Sequence, residues 1–194
     1  WEVRYKQIGG KMDISPESVY GCCVCISSAG FALEGLCAAC VDGQDNIAVN
    51  LYRNGTVKTP AIDFAMETCY PEEDTVRVHI GAVRKQAALS LRIPAWSKIT
   101  LCHVKSADGT VEKYKAAAGA YLRLERTWQA GDEITLTFDM NPRIITPQDY
   151  DAEATVTDRY AIARGPVVFA IDGVDDTEPV VVPTGDLAFP VSTE

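Results

Sequence analysis

Apolar and polar residues alternate along most of the chain after residue 44, and this period of two predicts β-strands. The first alternating run is Asn46-Ile-Ala-Val-Asn-Leu-Tyr52, followed by Asn54-Gly55, which offers the backbone conformations of a hairpin turn. Further strands are predicted over 76–80, 89–93, 99–104, 111–115, 121–125, 134–138 and 161–171. Short strands with turn residues between them are typical of an antiparallel β-sandwich.

A different period precedes the strands. Phe31, Leu33, Leu36 and Cys40, with alanines between them, predict a helix over 27–41 that Gly43 would end. The expected fold is therefore mainly β, an antiparallel sandwich preceded by a short helical segment. We place the boundaries at 1–43 for the helical part, 44–172 for the sandwich, and 173–194 for an exit segment or linker rich in proline and acidic residues.

Composition and charge narrow the function classes. The chain has 194 residues, 47% hydrophobic and 23% charged, which is ordinary for a globular fold able to bury a core. Eighteen basic against 27 acidic residues give a net charge of −9, which argues against nucleic acid or an anionic membrane as a partner. No stretch approaches the apolar length of a membrane span.

Cysteine is the most informative residue type. Five of the seven cysteines lie between residues 22 and 40, and an odd, clustered set does not predict a secreted disulfide framework. Reduced thiols indicate the cytoplasm. The adjacent pair Cys22-Cys23 cannot readily form a disulfide with itself, so it is explained by burial, by metal binding or by a reactive thiol with a neighbour.

Two further readings of the cysteines stay open. Cys22-x-x-Cys25 and Cys37-x-x-Cys40 have a spacing close to that of a structural zinc site. Two observations argue against a zinc site. Cys37 and Cys40 fall on one face of the predicted helix, at positions i and i+3, and the glycine or other turn residues that normally flank each cysteine pair of a zinc site are missing there. The second reading is that the cysteines outside the vicinal pair are small buried hydrophobes, the commonest fate of a reduced thiol.

Seven sequence landmarks occur in one order that resembles the C-terminal part of glycoside hydrolase family 127, the β-L-arabinofuranosidase group. The resemblance covers roughly residues 20 to 172. The landmarks are Cys22-Cys23, Asn46-Ile-Ala-Val-Asn-Leu-Tyr52, Thr68-Cys-Tyr-Pro71, Leu89-Ser-Leu-Arg-Ile-Pro-Ala-Trp96, Gly119-Ala-Tyr-Leu-Arg-Leu-Glu-Arg-Thr-Trp128, Gly131-Asp132 and Ala163-Arg-Gly-Pro166. Each is weak alone, and the shared order is specific.

The resemblance implies a retaining glycosidase with a helical barrel followed by β-sandwich domains. Residues 1–43 would be the end of the barrel, and the rest of the barrel would lie outside this chain. By position, Cys22 would be the nucleophile bound to zinc and Cys23 a second zinc ligand. A glutamate and another cysteine from upstream would complete the zinc site, and the substrate would be a furanoside glycan.

The chain departs from the family where Val24-Cys25-Ile26-Ser27 follows the pair, because family members usually have Asn and then Arg there. Two function classes therefore remain open. One is the C-terminal portion of a β-L-arabinofuranosidase-like hydrolase, inactive alone and docked on a helical barrel. The other is a non-catalytic sandwich, either an accessory module or a degenerate homologue.

Other candidate residues have structural explanations. Trp96, Trp128 and Tyr121 could form a platform for sugars, but their positions at strand ends also suit the core. His79 should point away from the apolar face of its strand, and Asp132 after Gly131 is interpreted as a turn former rather than a catalytic acid.

Overall fold

A computed structural model describes residues 3–5, 12–14, 27–149, 152–153, 155 and 160–169. The chain is mainly β, as predicted, with one α-helix in the described part, α1 (Ser27–Cys37), and a 3-10 turn at Pro147–Asp149. The strands are β1 (Val3–Tyr5), β2 (Met12–Ile14), β3 (Ala39–Val41), β4 (Ile47–Val49), β5 (Gly55–Val57), β6 (Ile62–Thr68), β7 (Thr75–Val83), β8 (Leu89–Arg92), β9 (Thr100–Lys105), β10 (Val111–Ala116), β11 (Tyr121–Leu124), β12 (Glu133–Thr137), β13 (Pro142–Ile145), β14 (Ala161–Arg164) and β15 (Val167–Phe169).

Two sheets form the sandwich. One has the order β10-β9-β12-β7-β6-β5 and is antiparallel throughout. The other has the order β11-β8-β4-β3, in which β4 and β8 run parallel. A three-stranded sheet, β13-β14-β15, and the pair β1-β2 complete the described strands. Mainly antiparallel pairing confirms the predicted fold class.

The core lies between the two large sheets and follows the alternation of the sequence. On β7, Val76, Val78 and Ile80 are buried, while His79 between them points to the other face, as predicted. Trp128 is only 1% exposed, and its indole N–H donates to the carbonyl of Ala87 at 3.1 Å. Each large apolar side chain buried in this way contributes roughly 1.5–3 kcal/mol to folding.

The helix ends earlier than predicted. It stops at Cys37, and Cys40 lies in β3 rather than on a helix face. The carbonyl of Ala38 accepts from the backbone N–H groups of Asn50 (2.9 Å) and Leu51 (3.3 Å). Because the residues after β4 satisfy the groups that a longer helix would have used, the chain turns into a strand here.

The hairpin predicted at Asn54-Gly55 is wrong. The strand before it, β4, and the strand after it, β5, belong to different sheets, and β5 pairs with β6. The side-chain oxygen of Asn54 accepts the backbone N–H of Thr68 at 2.7 Å, which ties this turn to the end of β6.

The strand predicted over 161–171 is two strands. Gly165, with φ of +56°, turns the chain between β14 and β15. This positive φ favours glycine, and a Cβ at this position would also overlap the side chain of Met140. The predicted exit segment, 173–194, lies outside the described residues.

Candidate functional site

The predicted nucleophile Cys22 and zinc ligand Cys23 lie outside the described residues, as does Cys25. The described structure resumes at Ser27, where α1 begins, four positions after Cys23. The part of the molecule that follows the cysteine pair is therefore the junction between α1, β3 and the four-stranded sheet.

Asn50 holds this junction together. Its Nδ2 donates to the backbone carbonyl of Cys37 at 2.9 Å and lies 3.5 Å from Sγ of Cys40. Its Oδ1 accepts from the hydroxyl of Tyr121 on β11 at 2.5 Å. One amide thus joins the end of α1, the start of β3 and the far strand of the same sheet.

Asn50 was not predicted as a key residue. The signal available in the sequence was an amide placed directly after the buried strand residues Ile47 and Val49. Its role depends on contacts between residues 71 positions apart, Asn50 and Tyr121, which alternation alone does not reveal.

The described cysteines differ in exposure. Cys37, Cys40 and Cys69 are exposed, so the prediction that they are buried hydrophobes is wrong for these three. Cys102 is fully buried on β9, as predicted, and burial raises the pKa of its thiol to about 12. All four are free thiols.

Helix α1 exposes apolar side chains on all its sides. Phe31 is 80% exposed, Leu36 73% and Leu33 54%. Its charged residue Glu34 pairs with Arg53 beyond β4 at 2.8 Å. Exposed apolar side chains of this size, close together on one element, are typical of a surface that contacts other protein.

The histidines do not form a catalytic or metal-binding group with their neighbours. Nε2 of His79 lies 3.5 Å from Glu67, and Nδ1 lies 3.4 Å from Glu133. Because the two carboxylates contact opposite nitrogens of the ring, they cannot share one metal ion with it. Among the described residues, no group of three His, Cys, Asp or Glu side chains could hold a metal.

The three aromatic residues considered as a sugar platform are not brought together as one. Trp128 is buried, and Trp96 stacks on Tyr70 with ring centroids 6.4 Å apart. Arg143 lies over the Trp96 ring at 5.9 Å. Tyr121 is half exposed, but its hydroxyl is used by Asn50. Trp96 and Trp128 therefore pack in or against the core, as the structural interpretation of the sequence expected.

Asp132 is a turn former, as predicted. It is 1% exposed, and its two carboxylate oxygens accept the backbone N–H groups of Ala107 at 2.9 Å and Gln129 at 3.1 Å. With both oxygens occupied, it lacks the open position of a catalytic acid.

A shallow, open concavity of about 240 Å³ lies beside Asn46 and Gln86, and Arg126 is among the residues that line it. Arg126 lies over the Trp128 ring at 5.3 Å, 2.8 Å from Glu112 and hydrogen-bonded to Ser106. Its Nε is buried and has no acceptor among the described residues. These groups therefore stabilise the sandwich.

The fold and the junction together define a class: a β-sandwich module preceded by a helix with exposed apolar side chains. Residues 46–140 match the family profile described as "Beta-L-arabinofuranosidase, GH127 middle domain". This match confirms the resemblance to glycoside hydrolase family 127 that was drawn from the sequence. A search among curated proteins gave no match.

Solved structures agree with the family. A structure titled "Glycoside hydrolase" is 26% identical with a TM-score of 0.57, over 80% of this chain and 28% of that one. A family 127 β-L-arabinofuranosidase from Geobacillus stearothermophilus T6 is 27% identical with a TM-score of 0.57, over 76% of this chain and 23% of that one. A third, titled as a family 127 β-arabinofuranosidase, is 27% identical with a TM-score of 0.51, over 64% and 22%. The chain thus spans less than a third of these relatives.

Among the described residues, no helix has the length and apolar character needed to cross a bilayer.

Proposed function

We propose that this chain is the C-terminal portion of a retaining glycosidase acting on β-L-arabinofuranosides, in which Cys22 is the nucleophile and Cys23 a zinc ligand. The observation that carries the proposal is the family 127 middle domain at 46–140, which follows a vicinal cysteine pair in the order of the family landmarks. Two of the similar structures are titled as arabinofuranosidases, which supports the same substrate class.

A helical barrel is the partner we propose for α1. Contact with the barrel would bury the exposed apolar side chains of Phe31, Leu33 and Leu36. Each buried side chain would contribute roughly 1.5–3 kcal/mol to the stability of the contact. Asn50 and the ion pair of Glu34 with Arg53 would hold the helix on the sandwich side. In this arrangement 1–43 closes the barrel and carries the cysteine pair to its active site.

The donor chemistry of the pair suits zinc, but two thiols are too few for a zinc site, which takes four ligands or three and a water. The remaining ligands would come from the barrel, as would the acid that protonates the leaving group. When bound, zinc keeps a coordinated thiol deprotonated, and the thiolate is the nucleophilic form of cysteine.

The proposed reaction has two steps. The sulfur of Cys22 attacks the anomeric carbon, the glycosidic C–O bond breaks, and a carboxylic acid from outside this chain protonates the leaving oxygen. The carboxylate formed in the first step then takes a proton from water, the oxygen of that water attacks the same carbon, and the C–S bond breaks. This regenerates the thiolate and the carboxylic acid and retains the anomeric configuration.

The test is Cys22→Ser in the protein that contains both this chain and the barrel. Serine has nearly the same volume but a far less acidic hydroxyl and is a poorer zinc ligand, so hydrolysis of an aryl β-L-arabinofuranoside should be abolished while the melting temperature is kept. The 194 residues alone should show no turnover with or without added zinc, and they should hold less than one zinc per molecule.

Cys37→Ser is the matched control, because the Cys37 side chain is exposed and Asn50 uses only its backbone carbonyl. It should leave rate and stability unchanged. Near wild-type turnover by Cys22→Ser would show that this mechanism does not apply and would favour a non-catalytic sandwich.

A further inference from the structure

The outer face of the six-stranded sheet carries a cluster of cations that the net charge of −9 conceals. Alternation along β7, β9 and β10 points Arg77, Lys105, Lys113 and Lys115 away from the core, and all four are exposed. We call these four residues the basic strip.

Strand register places the strip in one line across the sheet. Lys113 on β10 pairs with His103 on β9, His103 with Thr135 on β12, and Thr135 with Arg77 on β7. Three strand spacings of about 4.8 Å separate the ends of this row, so it spans about 14 Å. Lys115 and Lys105 flank the row on the same face.

The cations of the strip are not neutralised. None of the four forms an ion pair with a carboxylate of the described residues. Glu133 and Glu67 stand opposite Lys105 and Arg77 in the strand register of the same face, but both carboxylates contact His79 instead. Four exposed cations without ion-pair partners on one flat face create a local positive potential that attracts anions.

We propose that the basic strip binds a carboxylated polysaccharide, a glycan with a uronic acid in its repeat; the choice of a glycan rests on the proposed function. Lysine and arginine pair with the carboxylates, and the hydroxyl of Thr135, within the row, suits the sugar hydroxyls. Leu101 and Val111, 44% and 49% exposed on the same face, offer contacts for the C–H faces of sugar rings.

The side chains of this face favour a polysaccharide over nucleic acid. Single-stranded nucleic acids bind on grooves where aromatic rings stack with the bases. The outward positions of β7, β9, β10 and β12 in the described sheet carry no aromatic residue. A flat sheet face also does not present the helix or ribbon that enters a duplex groove.

The experiment is affinity electrophoresis of the chain in gels containing polygalacturonate, neutral arabinan or double-stranded DNA. The double variant Lys113→Glu with Lys115→Glu is compared with the control Lys58→Glu with Lys98→Glu, which has the same net charge but changes lysines that lie near Asp63 and Asp149. Melting temperatures of both variants confirm that they are folded.

We expect polygalacturonate alone to retard the chain, less so as salt is added, because exposed ion pairs are screened. The strip variant should bind at least tenfold more weakly, and the control within twofold of the parent chain. Equal loss in both variants, equal retardation by DNA, or no retardation by polygalacturonate would each overturn the proposal. The outcome does not depend on catalysis by Cys22, so failure here leaves the proposed reaction untouched.

Discussion

Removing the carboxylate of Asp132 should destabilise the sandwich more than removing any exposed turn carboxylate. Asp132→Ala leaves the N–H groups of Ala107 and Gln129 without their acceptors in a site that is 1% exposed. Each lost hydrogen bond to a charged group costs about 1.5–3 kcal/mol, and water reaches part of the turn, so we expect a loss of about 3 kcal/mol. Asp132→Asn keeps one acceptor and should lose about half as much.

Urea unfolding followed by tryptophan fluorescence measures this directly, since Trp128 lies in the core. A loss of about 3 kcal/mol corresponds to a fall of roughly 6–12 °C in melting temperature for a domain of this size. Asp108→Ala is the control, because Asp108 accepts one backbone N–H, from Thr110, in an exposed turn and should matter much less. If Asp132→Ala and Asp108→Ala cost the same, the buried carboxylate is not what holds the turn.

Two further predictions concern thiols and backbone. Alkylation of the native chain, mapped by mass spectrometry, should label the exposed thiols of Cys37, Cys40 and Cys69 rapidly. Cys102 should stay unlabelled until denaturant is added, because it is buried and burial raises the pKa of its thiol to about 12. Rapid labelling of Cys102 in the native chain would contradict the position of β9. Gly165→Ala should lower the free energy of unfolding by about 1–3 kcal/mol, because of its positive φ and the overlap of a Cβ with Met140. Gly43→Ala is the control, because the space around Gly43 is open, and it should leave stability unchanged. Equal melting temperatures for the two variants would refute this argument.

Alternation predicted the sandwich because the apolar side chains of each strand meet one core. On β7 the buried Val78 and the outward His79 follow directly from the period of two. Strand β6 was not predicted, although Ile62, Phe64 and Met66 alternate with polar or small residues in the same way. The interpretation of this region ended at the turn residues Asn54-Gly55 and the short run that follows them.

Pairing between distant strands could not be predicted in the same way. Asn54-Gly55 has the local chemistry of a hairpin turn, but the partner of β5 is decided by the packing of β6. The end of α1 is likewise set by Asn50, thirteen positions beyond Cys37, rather than by a residue within the helix. The residues of a turn determine which backbone conformations it can adopt, and contacts between distant strands determine which strands it connects.

The candidate site was predicted only through the family landmarks, and the structure explains why the residues alone were insufficient. Three groups that could have served as catalytic candidates in the described sandwich have structural partners: Asp132 in its turn, His79 between two glutamates, and Arg126 on Trp128 and Glu112. These contacts stabilise the sandwich. Its contribution to chemistry would be positional, because the amide of Asn50 joins the sheet to the end of α1, and α1 begins four positions after Cys23. Asn50→Ala should therefore lower turnover of the barrel-containing protein through misplacement of the helix, while Cys37→Ser, which keeps the carbonyl bonded to Asn50, should not. Full activity in Asn50→Ala would show that the barrel alone positions the cysteine pair.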